Sequence, residues 1–254
     1  MVYRNDEGIE LPMLVFEPNE GTHPRVAIVL FHGGGLRDGA ADNLTPHCRE
    51  LAARGILAAS AGYRLLGKGA ATIDDCVRDV KHAVQHFARL AVSRGIDASL
   101  VASGGTSAGA HLALVAAMGT PTYESEPSVS AIVALNPAGL DLRSFDPAFQ
   151  RRLEVEVCMP PGRVLDYSLI EHVRPGNPAV LIQHGTLDEV EPIDFVRRFR
   201  DAMLGAGNTC TLIEYEGAAH GFHYDVERGH FGKVNEATAH FLLDRLEELD
   251  QLGE

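Results

Sequence analysis

The sequence predicts an α/β fold, with a mostly parallel central sheet of about eight strands and helices on both faces. Three observations lead there. Unbroken apolar runs such as Val26 to Phe31 and Ala131 to Leu135 have the length and composition of strands buried on both faces. They alternate with stretches of helical periodicity such as Ile73 to Ser93. The polar, glycine-rich motifs fall just after strand-like runs, at the carboxyl ends where sheets of this kind build their sites.

The elements follow in order. Val2 to Arg4 and Ile9 to Phe16 read as two strands around the turn Asn5-Asp6-Glu7-Gly8, and Val26 to Phe31 is the first continuous apolar strand. Asp42 to Arg54 reads as helix, Ile56 to Ala61 as strand, Ile73 to Ser93 as a long amphipathic helix, and Leu100 to Ser103 as a short buried strand. Ser107 to Met118 returns to helix, followed by strands over Ala131 to Leu135 and Ala179 to Gln183. A helix over Pro192 to Leu204, a strand over Thr211 to Tyr215 and a closing helix over Asn235 to Leu249 complete the pattern. No internal repeat or low-complexity tract interrupts it, so one domain is expected over residues 1–254, with a small lid-like insertion at about Asp141 to Val173.

Composition narrows the function. Hydrophobic residues at 45% and charged residues at 22% are the balance of a globular chain rather than a disordered one. With 22 Lys and Arg against 35 Asp and Glu, the net charge of −13 repels phosphate backbones and anionic lipid, so neither nucleic acid nor membrane is an expected partner. Cys48, Cys76, Cys158 and Cys210 form no C-x-x-C pair, and no cofactor or metal motif is written in the chain. The first residues carry no apolar leader and no run spans a bilayer, which makes a cytoplasmic location the default expectation. Oligomeric state is left open, a homo-oligomer included.

Gly105-Thr106-Ser107-Ala108-Gly109 is G-x-S-x-G between a strand and a helix. A strand turning sharply into a helix strains the serine backbone and exposes its hydroxyl, and small neighbours are needed where the turn closes. A Gly/Ser-rich loop or helix cap would look the same in isolation, but the flanking elements favour Ser107 as a nucleophile. His32-Gly33-Gly34-Gly35 follows the strand Val26 to Phe31, and consecutive glycines let amides point into one space. Acyl transfer needs such donors for the tetrahedral oxyanion, and Gly33, Gly34 and Ala108 are the candidates. His32 is expected to brace that loop.

A serine hydroxyl needs a base. Of twelve histidines, His220 stands in a loop of small residues after the strand Thr211 to Tyr215. His111 lies one helical turn beyond Ser107 and reads as packing, whereas His223 and His230 lack a carboxylate at ligand spacing, so a metal is not expected. The orienting acid should follow a strand between serine and histidine. Asp188, in His184-Gly185-Thr186-Leu187-Asp188, meets that condition, with Glu189 and Glu191 as competitors.

From Leu11 to Leu246 these residues resemble the hormone-sensitive-lipase-like branch of the α/β-hydrolase superfamily, which holds many bacterial carboxylesterases and acetyl esterases. The resemblance rests on the motifs above together with Gly62-Tyr63-Arg64-Leu65, Asp79-Val80-Lys81-His82-Ala83-Val84, Gly95-Ile96-Asp97 and His220-Gly221-Phe222. It implies an α/β-hydrolase fold with a minimal lid and a serine carboxylesterase acting on a small-molecule ester. Thr106, Ala110 and the scant ten or so residues before the matching region depart from the branch's usual pattern and bear on substrate rather than on the triad. Amide or peptide hydrolysis is the enzymatic rival, and a non-catalytic ligand-binding homologue is the rival outside enzymes. The insertion, with Arg151-Arg152, Glu154 and Pro160-Pro161-Gly162, reads as too short and polar to bury a fatty acyl chain, so short acyl groups are expected.

Overall fold

The computed structural model describes residues 1–19, 21–121, 124 and 129–252. Strands β1 (Val2–Arg4), β2 (Glu10–Phe16), β3 (Ala27–Phe31) and β4 (Leu57–Ala61) are followed by a small ribbon of β5 (Leu65–Leu66) and β6 (Gly69–Ala70), and then by β7 (Val101–Thr106), β8 (Ala131–Leu135), β9 (Ala179–Gly185) and β10 (Cys210–Tyr215). Eight of these form one sheet in the order β1-β2-β4-β3-β7-β8-β9-β10. Pairing is antiparallel only from β1 to β2 and from β2 to β4, and parallel from β4 to β10. The sheet thus has the architecture of the α/β-hydrolase fold.

Each helix has a local reason. α1 (Thr45–Ala53) follows a 3-10 turn over Ala41–Leu44 and has Pro46 near its start, where a missing N–H costs nothing. α2 (Ile73–Ser93) opens at Thr72, whose amide donates to Asp75 Oδ2 at 3.1 Å, and buries Ile73, Val77, Val80, Val84 and Phe87 along one stripe. α3 (Ala108–Met118) is apolar all round and buried along its whole length, the pattern of a helix enclosed on every side. α4 (Pro147–Glu156) is capped by Asp146, which accepts the amides of Ala148 and Phe149 at 2.8 and 3.1 Å. α5 (Ile193–Gly205) starts after Pro192, and α6 (His230–Leu252) closes the chain. α1 packs against α6, and α2 against α3, covering the two faces of the sheet.

Register brings the site loops to one level. Phe31 pairs with Gly105, Thr106 with Leu135, Leu135 with Gln183, and Gly185 with Tyr215, so the loops after β3, β7, β8, β9 and β10 leave the sheet along one edge. The connection from β8 to β9, which holds the expected insertion, folds as α4 with 3-10 turns at Leu142–Ser144, Val164–Tyr167 and Leu169–His172. Its helix was not foreseen. Pro147 and the charged residues suggest an irregular segment when read linearly, yet Phe149, Leu153 and Val157 recur every four residues.

Candidate active site

Ser107 sits between β7 and α3 with φ 50° and ψ −119°, a conformation rare for residues with a side chain. The surroundings enforce it. A methyl group added at Gly105 would overlap the Phe31 carbonyl oxygen, and one at Gly109 would overlap the carbonyl oxygens of Phe31 and His32. The close approach of β7 and α3 to the end of β3 therefore requires glycine at both positions. The predicted helix begins at Ala108 rather than Ser107, because the strained serine is its non-helical cap.

His220 follows β10 in the loop before α6. Its Nδ1 lies 2.7 Å from Asp188 Oδ2 and its Nε2 lies 2.9 Å from Ser107 Oγ. Because a carboxylate only accepts, Nδ1 carries the proton, and the Nε2 lone pair faces the serine hydroxyl. The Asp188 side chain is fully buried, and its second oxygen, Oδ1, accepts the amides of Val190 and Glu191 at 2.9 and 3.2 Å. Burial acts to raise the Asp188 pKa. The hydrogen bond and charge of His220, then His184 and the Glu191 amide, outweigh it and hold the carboxyl below its ordinary value.

The competing carboxylates have other surroundings. Glu189 is exposed at the cavity edge. Glu191 is buried and accepts the backbone amides of Gly139, Leu140 and Asp141 at 2.8, 2.9 and 3.2 Å, tying the loop after β8 to the loop after β9. Burial pushes its carboxyl up to about 7, with the three amides opposing and the charge of Asp188 adding to the rise.

Of the three expected oxyanion donors, Gly33 and Ala108 lie beside Ser107, while Gly34 follows on the exposed side of the loop. Gly33 lies so close that a Cβ there would sit 3.1 Å from Ser107 Cβ, and Ala108 opens α3, where first-turn amides have no intrahelical acceptor. His32 is buried, with its ring stacked on Tyr63 at 4.4 Å and its Nδ1 donating to the Gly33 carbonyl at 2.7 Å. The Tyr63 hydroxyl donates to the His32 carbonyl at 2.9 Å.

His111 is buried on α3, donates from Nδ1 to the Ala138 carbonyl at 3.0 Å, and has a pKa lowered to about 4, chiefly by burial. His223 is buried against His47 and Tyr224. Sequence reasoning missed Asn136, directly after β8, whose Nδ2 lies 3.3 Å from His220 Nε2. Its only sequence signal was its place after an apolar strand, which every other site residue shares.

A cavity of about 520 Å³ opens beside Ser107. Leu36, Ile73 and Met159 line it with Phe149, Leu153 and Val157 of the β8–β9 connection. Arg152 and Glu156 of the same connection also line it, so the cover combines an apolar stripe with charged side chains rather than being polar throughout. Among the described residues, no helix is long and apolar enough to cross a membrane.

Comparison with known proteins shows the family and the fold. The BD-FAE family model matches residues 13–203. An esterase of the Planctomycetes species Thermogutta terrifontis, solved with bound propionate, superposes with a TM-score of 0.82 at 30% identity, over 96% of this chain and 93% of that one. Thermogutta terrifontis esterase 2 phosphonylated by sarin gives 0.83 at 30% identity, over 96% and 94%. Esterase LipC of Mycobacterium tuberculosis is 29% identical over 164 residues, 58% of this chain. The chain spans 40% of LipC and 7% of another curated relative, the non-reducing polyketide synthase ascC of Acremonium egyptiacum. With three-quarters of its length matched by one family model and nearly all of it superposed on esterases of the same architecture, the chain belongs to the BD-FAE family and has the α/β-hydrolase fold.

Proposed function

We propose that the protein is a serine carboxylesterase that cleaves short-chain acyl esters through an acyl-enzyme, with Ser107 as nucleophile, His220 as base and Asp188 as the orienting acid. The observation that carries this reading is the continuous line from Asp188 Oδ2 to His220 Nδ1 at 2.7 Å and from His220 Nε2 to Ser107 Oγ at 2.9 Å. It is supported by the likeness to an esterase that takes up an organophosphonyl group.

As Ser107 Oγ bonds to the ester carbonyl carbon, its proton passes to His220 Nε2. The carbonyl π electrons move to oxygen, which the amides of Gly33, Gly34 and Ala108 receive. Collapse expels the alcohol, which takes the proton from His220. Water then repeats the sequence on the acyl-enzyme, its proton going to His220 and its hydroxyl to the acyl carbon, until Ser107 is released with its proton restored. The buried Asp188 carboxylate stabilises the imidazolium in both halves.

The connection from β8 to β9 acts as a small lid in this reading, within one domain. Phe149, Leu153 and Val157 close one side of the cavity, so each added methylene contributes about 0.8 kcal/mol only until the acyl chain meets them. A series of p-nitrophenyl esters tests both chemistry and size: kcat/KM is expected to peak from acetate to butyrate and to decline beyond about six to eight carbons. Preference for laurate or palmitate contradicts the size assignment. Faster turnover of matched anilides than of esters favours amide hydrolysis instead.

A further inference from the structure

Tyr63 belongs to the Gly62-Tyr63-Arg64-Leu65 motif that the triad does not use. It follows β4, the strand beside β3, and is buried with its ring stacked on His32. The two side chains hold two successive peptide units. The Tyr63 hydroxyl donates to the carbonyl of His32, in the unit whose N–H belongs to Gly33. The His32 Nδ1 donates to the carbonyl of Gly33, in the unit whose N–H belongs to Gly34. In a trans peptide the C=O and N–H point in opposite directions, so fixing each oxygen fixes the direction of the following amide.

We infer that Tyr63 and His32 are paired positioning residues that aim the Gly33 and Gly34 amides at the oxyanion, one peptide unit each. The inference rests on the acyl-transfer reading above. Its physical reason is that Gly33 and Gly34 have no side chains to anchor their own peptide planes, and Gly34 lies on the exposed side of the loop. An oxyanion hole acts through preorganised dipoles, so a peptide unit free to rock loses transition-state stabilisation without losing the fold. Burial pushes the Tyr63 phenol up and the His32 imidazole down, so near neutral pH both remain uncharged donors.

The test uses the full chain and a trifluoromethyl ketone, which Ser107 converts to a tetrahedral adduct carrying the oxyanion. Tyr63→Phe removes the donor but keeps the stacked ring. We expect kcat to fall about tenfold to a hundredfold with KM nearly unchanged, and the ketone Ki to rise by the same factor. His32→Ala should behave alike, and His32→Asn, whose amide nitrogen can take the place of Nδ1, should recover part of the loss. These two variants keep the test decisive if Tyr63→Phe does not fold.

Folded Tyr63→Phe with wild-type kcat and Ki overturns the inference while leaving the triad intact. So does a rise in KM alone. Should the wild-type protein neither hydrolyse esters nor bind the ketone, or should Ser107→Ala keep full activity, the acyl-transfer reading fails first and carries this inference with it.

Discussion

Three carboxylates lie within four positions of one another after β9, and only their surroundings distinguish them. Asp188 is short, buried and pinned through Oδ1 by two amides, which leaves Oδ2 directed at His220. Asp188→Asn is expected to lower kcat by about 10⁴, since an amide facing Nδ1 favours the wrong tautomer. Glu189→Gln, at an exposed position, should retain near-wild-type turnover; a large loss there with little in Asp188→Asn would reverse the assignment. Ser107→Ala should leave a folded protein with activity reduced by roughly 10⁴ to 10⁶, and retention of a tenth of the rate in that variant would end the nucleophile assignment. Ser107, Asp188 and His220 were legible because each has small or apolar neighbours after a strand, in a chain order that suits the chemistry. Asn136 was not, because one polar residue has no spacing partner to mark it, and its proximity to His220 arises only when β8 and β10 flank β9.

The elements that carry these residues are joined by Glu191, whose carboxylate accepts three amides of the loop after β8. Its folded-state pKa of about 7 lies above the ordinary value of 4.5, so the protein binds more protons at this position than the unfolded chain does between those values. The corresponding stability is fully present below about pH 4.5 and is lost as pH rises through 7, an effect on the order of 3 kcal/mol. Chemical denaturation of wild type and Glu191→Gln across pH 4 to 8 checks this. The stability difference between them should shift against wild type as pH rises, and a difference independent of pH contradicts the account. α4 offers a second prediction. Phe149 lines the cavity, so Phe149→Ala should raise the octanoate-to-butyrate ratio of kcat/KM roughly fourfold for each methylene it newly accommodates. An unchanged ratio would remove α4 from the acyl site. That helix was obscured in the sequence by its charges, because a stripe of three apolar residues leaves the average composition polar. Strand and helix alternation elsewhere was legible because the parallel strands are apolar throughout. The ends were less so: β7 runs on to Thr106 and β9 to Gly185, since glycines and threonine read as loop but continue the ladders that carry the site.

At the scale of the whole molecule, the sheet register gathers five loops along one edge and sets residues 113 positions apart in contact, as with Ser107 and His220. The net charge of −13 adds a constraint on partners, because an acidic surface disfavours anionic substrates and surfaces while leaving neutral esters unaffected. The central claim is that this convergence activates one serine, and reaction with diethyl p-nitrophenyl phosphate tests it most directly. The phosphorus centre accepts an activated oxygen and releases p-nitrophenolate. The intact protein should gain about one diethylphosphoryl group per chain as esterase activity disappears, and peptide mass mapping should locate it on Ser107. Loss of activity with the group on another residue and Ser107 unmodified would contradict the account.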